Sequence, residues 1–350
     1  MASSGICSPV PQKVFDYIHG FCASQAIFTA CELGIFDVVE TPQPSQKIAE
    51  QISGDHDAVC RLLDALVSLE LLVKHGDNPD EALYSNSSMG DCFRKSSPTY
   101  MYGYVMHVMK TNKPLTGNLT SAIREGQSQW QRTFNATSND LFKNNYSSKE
   151  KLIHFQEGMR GSVKSATSIF ATAFDLSRFP RLCDVGGGTG DVAYAMCMAY
   201  PNMKITVFDL PNVVEVSSHF KPPLKECPNQ ENVTFVGGDF FKPSLPPSDL
   251  YVLTHILHDW GPAECDAILD NVFNHLPSGG GVLLGERLIY DDRNGPMTPV
   301  YWSLIMRCIS DGRESSGLDY KRLLEKHGFK DVQVKYTHSN LLDAVLAIKP

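Results

Sequence analysis

What the chain lacks narrows it first. Its 350 residues hold no apolar run of membrane-spanning length, and no basic stretch leads into an apolar one near the start. A membrane-spanning protein and a secreted precursor are therefore not expected. Positive charge is short: 31 Lys and Arg stand against 39 Asp and Glu, a formal charge of −8. Nucleic-acid binding rests first on neutralising phosphates, so no nucleic-acid partner is expected. The ten cysteines, scattered from Cys7 to Cys308, include no Cys-x-x-Cys pair and no clustering with histidine. They read as free thiols in a reducing compartment, with neither a disulfide frame nor a metal site. Internal repeats and low-complexity tracts are missing too. Triplets Asn-x-Ser/Thr open at Asn86, Asn118, Asn135, Asn145 and Asn232, but without secretion they carry no meaning. The expected location is the cytoplasm. Hydrophobic residues at 42% and charged at 20% describe an ordinary globular chain long enough for two domains.

What is present centres on Cys183-Asp184-Val185-Gly186-Gly187-Gly188-Thr189-Gly190. An apolar run ends in an acid, three glycines follow, and Thr-Gly opens a helical pattern. The spacing predicts a strand, a tight turn and a helix start, where bare backbone and unpaired N–H groups suit a nucleoside cofactor. Glycine spacing alone does not choose the cofactor. Gly188-x-Gly190-x-x-Ala193 with Asp209 further on also fits a nicotinamide dinucleotide. Asp191 weighs against that: a carboxylate in the helix's first turn would face a pyrophosphate. S-adenosylmethionine (SAM), a sulfonium cation without phosphate, is the better match. A glycine turn serving only helix–sheet packing is the bland alternative.

The chain in order gives two regimes. Residues 11–75 are helical in pattern, and Val14, Tyr17, Ile18, Phe21, Ile27, Phe28, Cys31, Leu33 and Ile35 recur more densely than one buried face needs. A second subunit would supply cover, so a homodimer is expected. A helix opening near Ser45, with Ser45 as cap, precedes a longer one from Asp57 to Leu72. Two short strands follow around Gly76-Asp77-Asn78-Pro79-Asp80, a winged-helix pattern. The helix that would read DNA carries Asp57, Arg61, Asp64 and Glu70, the wrong sign for a phosphate-lined groove. Residues 98–175 look helical, with Tyr100, Tyr102, Tyr104, Met106, His107 and Met109 forming either core or the wall of a pocket for a flat substrate. A long helix over Lys149–Phe174 is expected to join the two domains.

From Arg181 strands alternate with helices, an α/β pattern. Seven strands are expected at Leu182–Val185, Ile205–Asp209, Val233–Gly237, Leu250–Thr254, Gly281–Glu286, Val332–Tyr336 and Ala344–Ile348. That predicts a doubly wound seven-stranded Rossmann-like sheet, with ligands beyond the carboxyl ends of its strands. Informative residues fall there. Asp184 and the glycines end the first strand. Asp209, ending the second, could bridge ribose hydroxyls or simply serve the turn before Leu210-Pro211. After the third, Asp239 could accept from an adenine amino group beside the stacking face of Phe240. The fourth runs through Thr254 into His255-Ile256-Leu257-His258-Asp259-Trp260, and the fifth ends on Glu286.

The ordered set Asp184-x-Gly186-Gly187-Gly188-x-Gly190, Phe208-Asp209-Leu210-Pro211, Gly238-Asp239-Phe240-Phe241, His258-Asp259-Trp260 and Gly279-Gly280-Gly281…Glu286 resembles the SAM-dependent small-molecule O-methyltransferases. That family includes plant caffeic-acid and flavonoid enzymes and animal acetylserotonin O-methyltransferases. Similarity to the animal branch runs nearly the whole length, through Cys31-Glu32-Leu33-Gly34-x-Phe36-Asp37, Ala173-Phe174-Asp175-Leu176-Ser177 and Asp343-Ala344. The resemblance implies an N-terminal winged-helix dimerisation domain over 1–110, a helical link and pocket region over 111–175, and a SAM-binding catalytic domain over 176–350. It implies that Gly186, Gly187 and Gly188 cradle the methionine end of SAM, that Asp209 holds the ribose, and that Asp239 and Phe240 frame the adenine. Asp184, Leu210 and Thr254 join that cofactor set. His258 becomes the general base, pinned by Glu286 and Glu314, acting on a small aromatic hydroxyl substrate, with His255 either its neighbour or a lining residue of the cofactor cleft. Asp259, Trp260, His107, Ile305 and Ile309 form the substrate side. Here the chain departs from acetylserotonin enzymes, which carry Asn and Gln where this chain has Ile305 and Ile309 and a Tyr in place of His107. Leaving a polar tail unpaired costs about 1–3 kcal/mol per group, so a more apolar hydroxyarene becomes the rival substrate. A SAM-binding paralogue without catalysis is the other alternative.

Overall fold

The computed structural model describes residues 10–78, 81–136, 146, 148–339 and 341–350; Cys7, Pro79, Asp80 and Asn145 of the sequence reading lie outside them. The chain divides into two compact units with the boundary between Met106 and His107.

The first unit opens with a 22-residue helix, Gln12–Leu33, stopped by Gly34 in the left-handed conformation (φ 74°). Helices Ser45–Ile52 and His56–Ser68 follow, with strands β1 (Gln43–Pro44), β2 (Leu72–His75) and β3 (Leu83–Asn86) in the antiparallel order β1-β3-β2. Two helices followed by a hairpin make up the expected wing. Ser45 is not the cap: it is the first helical residue, and its hydroxyl faces His56 Nε2 at 2.9 Å. The next helix is capped by Asp55, whose carboxylate accepts from Ala58 N at 3.0 Å.

The second unit is built on a seven-stranded sheet: β4 (Arg181–Val185), β5 (Lys204–Asp209), β6 (Val233–Gly237), β7 (Leu250–Thr254), β8 (Gly281–Glu286), β9 (Lys330–Lys335) and β10 (Asp343–Ile348). The order is β6-β5-β4-β7-β8-β10-β9, parallel as far as β8, with β10 antiparallel to both its neighbours. Chain direction across the sheet reverses between β4 and β7, the crevice where such sheets bind ligands. Alternate residues feed two cores. Leu182, Ile205, Val252 and Leu283 pack on one face with Phe170 and Met196; Val185, Phe208, Leu253 and Leu284 pack on the other with Ile268 and Leu324. Both faces are covered at the centre of the sheet, which is why β7 and β8 are apolar along most of their length.

The structure redraws the expected link between domains. The helix from Lys149 stops at Val163 and resumes after one 3₁₀ turn as Thr167–Ala171. This stretch belongs to the second unit rather than joining the two, because Ala166, Phe170, Ala171 and Leu176 are buried in the sheet's core. Residues 111–175 are therefore part of the same unit as the sheet.

Candidate active site

At the carboxyl end of β4 the chain turns through Gly186 and Gly188, both in left-handed backbone (φ 69° and 52°). Gly187 has no room for a side chain: a Cβ there would lie 2.6 Å from the Asp184 carboxylate and 2.9 Å from Val207. Asp209, at the end of β5, staples the loop by accepting from Gly188 N at 2.8 Å and from Leu210 N at 2.7 Å. A carboxylate has about four acceptor sites, so lone pairs remain for ligand hydroxyls. Asp184 is fully buried, and neither of its oxygens has a hydrogen-bond partner. Burial, then the Asp209 charge, pushes it up to about 7. Burial likewise carries Asp209 up to about 6, against its two backbone donors.

The crevice beside this loop is a cavity of about 290 Å³. Among the described residues its wall holds five carboxylates (Asp184, Asp191, Asp209, Asp239 and Asp259) and one guanidinium, Arg160. Asp191 is not open to a cation as the sequence suggested, since Arg160 pairs with it at 3.2 Å and Thr189 donates to it. The sign of the wall stays acidic even so. A pyrophosphate would be repelled by it, whereas a donor bearing an ammonium and a sulfonium finds unpartnered carboxylate oxygens. Phe240 and Trp260 meet edge to face with ring centroids 6.2 Å apart, and with Phe155, Met159 and Ile256 they give the cavity its apolar side. Asp239 accepts from Phe241 N at 2.9 Å, which fixes the turn carrying Phe240. Thr254 and Leu210 also line the cavity, and the Thr254 hydroxyl is buried without a partner.

A second cluster lies where β7 and β8 end. His258, 7% exposed, sits on a 3₁₀ turn, Leu257–Asp259. Its Nδ1 donates to Glu314 Oε1 at 2.9 Å, with Glu286 Oε2 3.8 Å away, while Nε2 lies 3.5 Å from Asp259 Oδ1. Glu286 Oε1 accepts from Leu257 N at 3.0 Å and Ile256 N at 3.3 Å, so the carboxylate also holds the turn. Burial opposes charge on His258, but Glu314, Asp259 and Glu286 outweigh it and raise the imidazole above its ordinary value; a cation held in the adjoining cavity would lower it again and free Nε2 to accept a proton. Burial raises Glu286 to about 8 despite the nearby imidazole. The cavity wall contains His255, Ile256, Asp259 and Trp260, the residues flanking His258; His258, Glu286 and Glu314 cluster beside that wall rather than in it.

The other sequence-predicted residues fall elsewhere. His107 is buried against Phe155, edge to face at 5.6 Å, and burial followed by the nearby His154 lowers it to about 4. Ile309 is buried and Ile305 partly so, in a cluster around Trp130, whose indole N–H donates to Ile309 O at 2.8 Å. None of these three is in the wall of the described cavity. Sequence reasoning missed Gln156, Met159 and Arg160, which enter the wall from the helix Lys149–Val163. It also missed Arg287, buried 3.7 Å from Glu314 and over the Trp302 ring. A buried Arg directly after Glu286 was the available clue.

Comparison with known proteins places this arrangement in a class. The O-methyltransferase domain matches residues 117–330, and the O-methyltransferase dimerisation domain matches residues 15–96. The chain belongs to the O-methyltransferase family, whose methyl donor is SAM. It is 39% identical to acetylserotonin O-methyltransferase of Gallus gallus over 343 residues, covering 97% of each chain. It is 38% identical to a probable bifunctional dTTP/UTP pyrophosphatase/methyltransferase protein of Homo sapiens, of whose length it spans 54%. The crystal structure of human N-acetylserotonin methyltransferase in complex with SAM superposes with a TM-score of 0.91 at 36% identity, covering 100% of this chain and 99% of that one.

Proposed function

We propose that this protein methylates a hydroxyl group of a small aromatic compound, with His258 as the base that takes the hydroxyl proton. The observation that carries the reading is the 2.9 Å bond from His258 Nδ1 to buried Glu314, which leaves Nε2 on the side of Asp259 and the cavity wall. Asp184 and the Gly186–Gly188 turn would hold the methionine end of SAM, Asp209 and Leu210 the ribose, and Asp239, Phe240 and Thr254 the adenine. When bound, SAM supplies an electrophilic methyl on a sulfonium. The acceptor oxygen would gain that methyl as the methyl–sulfur bond breaks and the sulfur leaves as a neutral thioether, and would release its proton to Nε2, while Glu314 steadies the imidazolium that forms. General-base catalysis contributes about 10²–10⁴-fold, and holding the reactants in line supplies about 7–11 kcal/mol more. His258→Ala is therefore expected to lower kcat by about 10²–10⁴-fold while SAM still protects the protein thermally; an unchanged kcat overturns the base.

N-acetylserotonin, which relatives of this chain methylate by name, is the first acceptor to assay. The second reading, an acceptor without an amide tail, rests on the sequence departure at Ile305 and Ile309 alone, since neither lines the described cavity. Labelled-SAM transfer across hydroxyindoles, catechols, flavonoids and pterins separates the two, and SAM binding without transfer to any of them would favour the silent paralogue. The dimerisation domain supports a homodimer, and the free thiols are in keeping with the cytoplasm. Among the described residues no helix is long and apolar enough to cross a membrane.

A further inference from the structure

Two imidazoles in this protein share one carboxylate. His255, where β7 ends, holds left-handed backbone (φ 52°), a conformation uncommon for a residue with a side chain and frequent at functional sites. Its ring stacks on that of His258, with centroids 4.9 Å apart and planes 24° from parallel. Both its ring nitrogens are buried and, among the described residues, neither has a close hydrogen-bond partner, although the Leu341 backbone lies near enough to favour a proton on the ring. The polar atom facing Nδ1 is Glu286 Oε2, at 3.6 Å, itself buried and without a hydrogen bond. That same oxygen lies 3.8 Å from His258 Nδ1. Burial, with the charges of Arg287 and His258, holds His255 well below its ordinary value. The ring is therefore neutral and has a single N–H to give.

We propose that His255 is a positioning residue that donates from Nδ1 to Glu286 Oε2 and so keeps this carboxylate off the base. Closing the gap takes a shift of a fraction of an ångström and satisfies two orphaned buried atoms together. Glu314 is then the one carboxylate hydrogen-bonded to His258. The groups facing the pair are Asp259 on the same turn, Glu286 at the end of β8 and Arg287 just after it, Glu314 before the helix Gly317–Lys326, Tyr320 on that helix, and Cys265 on the helix Pro262–His275. Of these acids, Glu286 is the one within reach of both imidazoles. Without the His255 nitrogens, Oε2 is left facing His258 Nδ1 at 3.8 Å, and the base holds its proton to higher pH.

The inference rests on His258 being the base, and the experiment separates the two. In His255→Phe, which keeps a stacking ring without nitrogens, the acid limb of the kcat–pH profile should move up by about one pH unit, lowering kcat at pH 7 up to about tenfold. His255→Asn, which can donate from nearly the same place and tolerates left-handed backbone, should restore the parent limb. SAM should still protect both variants thermally. If the Phe variant does not fold, His255→Gly suits the backbone and carries the same expectation. A folded, nitrogen-free variant whose acid limb coincides with the parent's overturns the role of His255 and leaves His258 untouched. Loss of the base assignment itself would appear only in His258→Ala.

Discussion

At the scale of single residues, the site is a set of buried and half-buried acids that suits a cation. Asp184 is the sharpest case, because its carboxylate is wholly enclosed and unpartnered. Its folded value, about 7, lies above the ordinary 3.8 of an exposed Asp. Stability from this group is therefore complete below pH 3.8 and lost as pH rises through 7. Asp184→Asn is expected to raise the melting temperature of the ligand-free protein at pH 8, by about 2–4 °C per kcal/mol recovered, with little change at pH 4. The same substitution should weaken SAM binding at least tenfold, since the cation loses its buried partner. Scanning calorimetry at the two pH values, with and without SAM, checks both; equal shifts at pH 4 and pH 8 would show that charge is not the cause. Residue identity at this site was legible. Asp184, Asp209, Asp239 and His258 stand at strand ends, where a parallel sheet presents its loops. Arg160 was not legible: its partner Asp191 is 31 residues away, and only the fold brings a helix preceding β4 across the glycine turn.

At the scale of elements, two segments far apart in sequence meet at His258, the proposed base. Glu314 reaches His258 because the chain at Gly312 passes directly against the 3₁₀ turn. A Cβ on Gly312 would fall 1.9 Å from His258 O and 2.6 Å from the Asp259 carbonyl carbon. Those are backbone atoms, so no side-chain adjustment makes room. Gly312→Ala should separate Glu314 from the imidazole and forfeit a charge-assisted hydrogen bond worth about 1.5–3 kcal/mol, roughly a 10–100-fold loss in kcat. SAM-induced thermal protection should persist, because the glycine turn after β4 is untouched. Parent-like kcat in this variant would mean the close approach is dispensable. The sequence shows Gly-x-Glu but not that the glycine is a contact surface. The central strands were easier, since apolar runs buried on both faces, as in β7 and β8, are distinctive. The Lys149–Phe174 stretch was harder: its periodicity continues through the 3₁₀ turn at Lys164–Ala166, so the break leaves no trace in composition.

At the scale of the whole molecule, the glycine pattern could not by itself tell a dinucleotide from a sulfonium donor. The acidity of the assembled wall makes that distinction, and it depends on tertiary structure. Association is different, because it shows in the sequence as an excess of apolar residues and in the structure as their exposure. On the helix Gln12–Leu33, Val14, Phe15, Tyr17, Ile18 and Phe21 are between 41% and 70% exposed. Val14, Tyr17, Ile18 and Phe21 follow 3–4 spacing, so they form a stripe along one side rather than scattered points. Burying one large apolar side chain gives about 1.5–3 kcal/mol, and a stripe this long left in water is uncommon for a monomer. All of the stripe but Val14 also lies within the dimerisation-domain match at residues 15–96. Replacing Ile18 and Phe21 together by Glu should convert a two-chain species into a single chain in sedimentation equilibrium. Lys at the same two positions should do the same, because what is lost is apolar cover rather than a particular charge. The residues sit in the unit before Met106, so SAM-induced thermal protection of the unit that holds the sheet should survive both changes. If the parent already sediments as one chain, or the double variant still pairs, the stripe serves some other contact and the pairing face must be sought elsewhere on the chain.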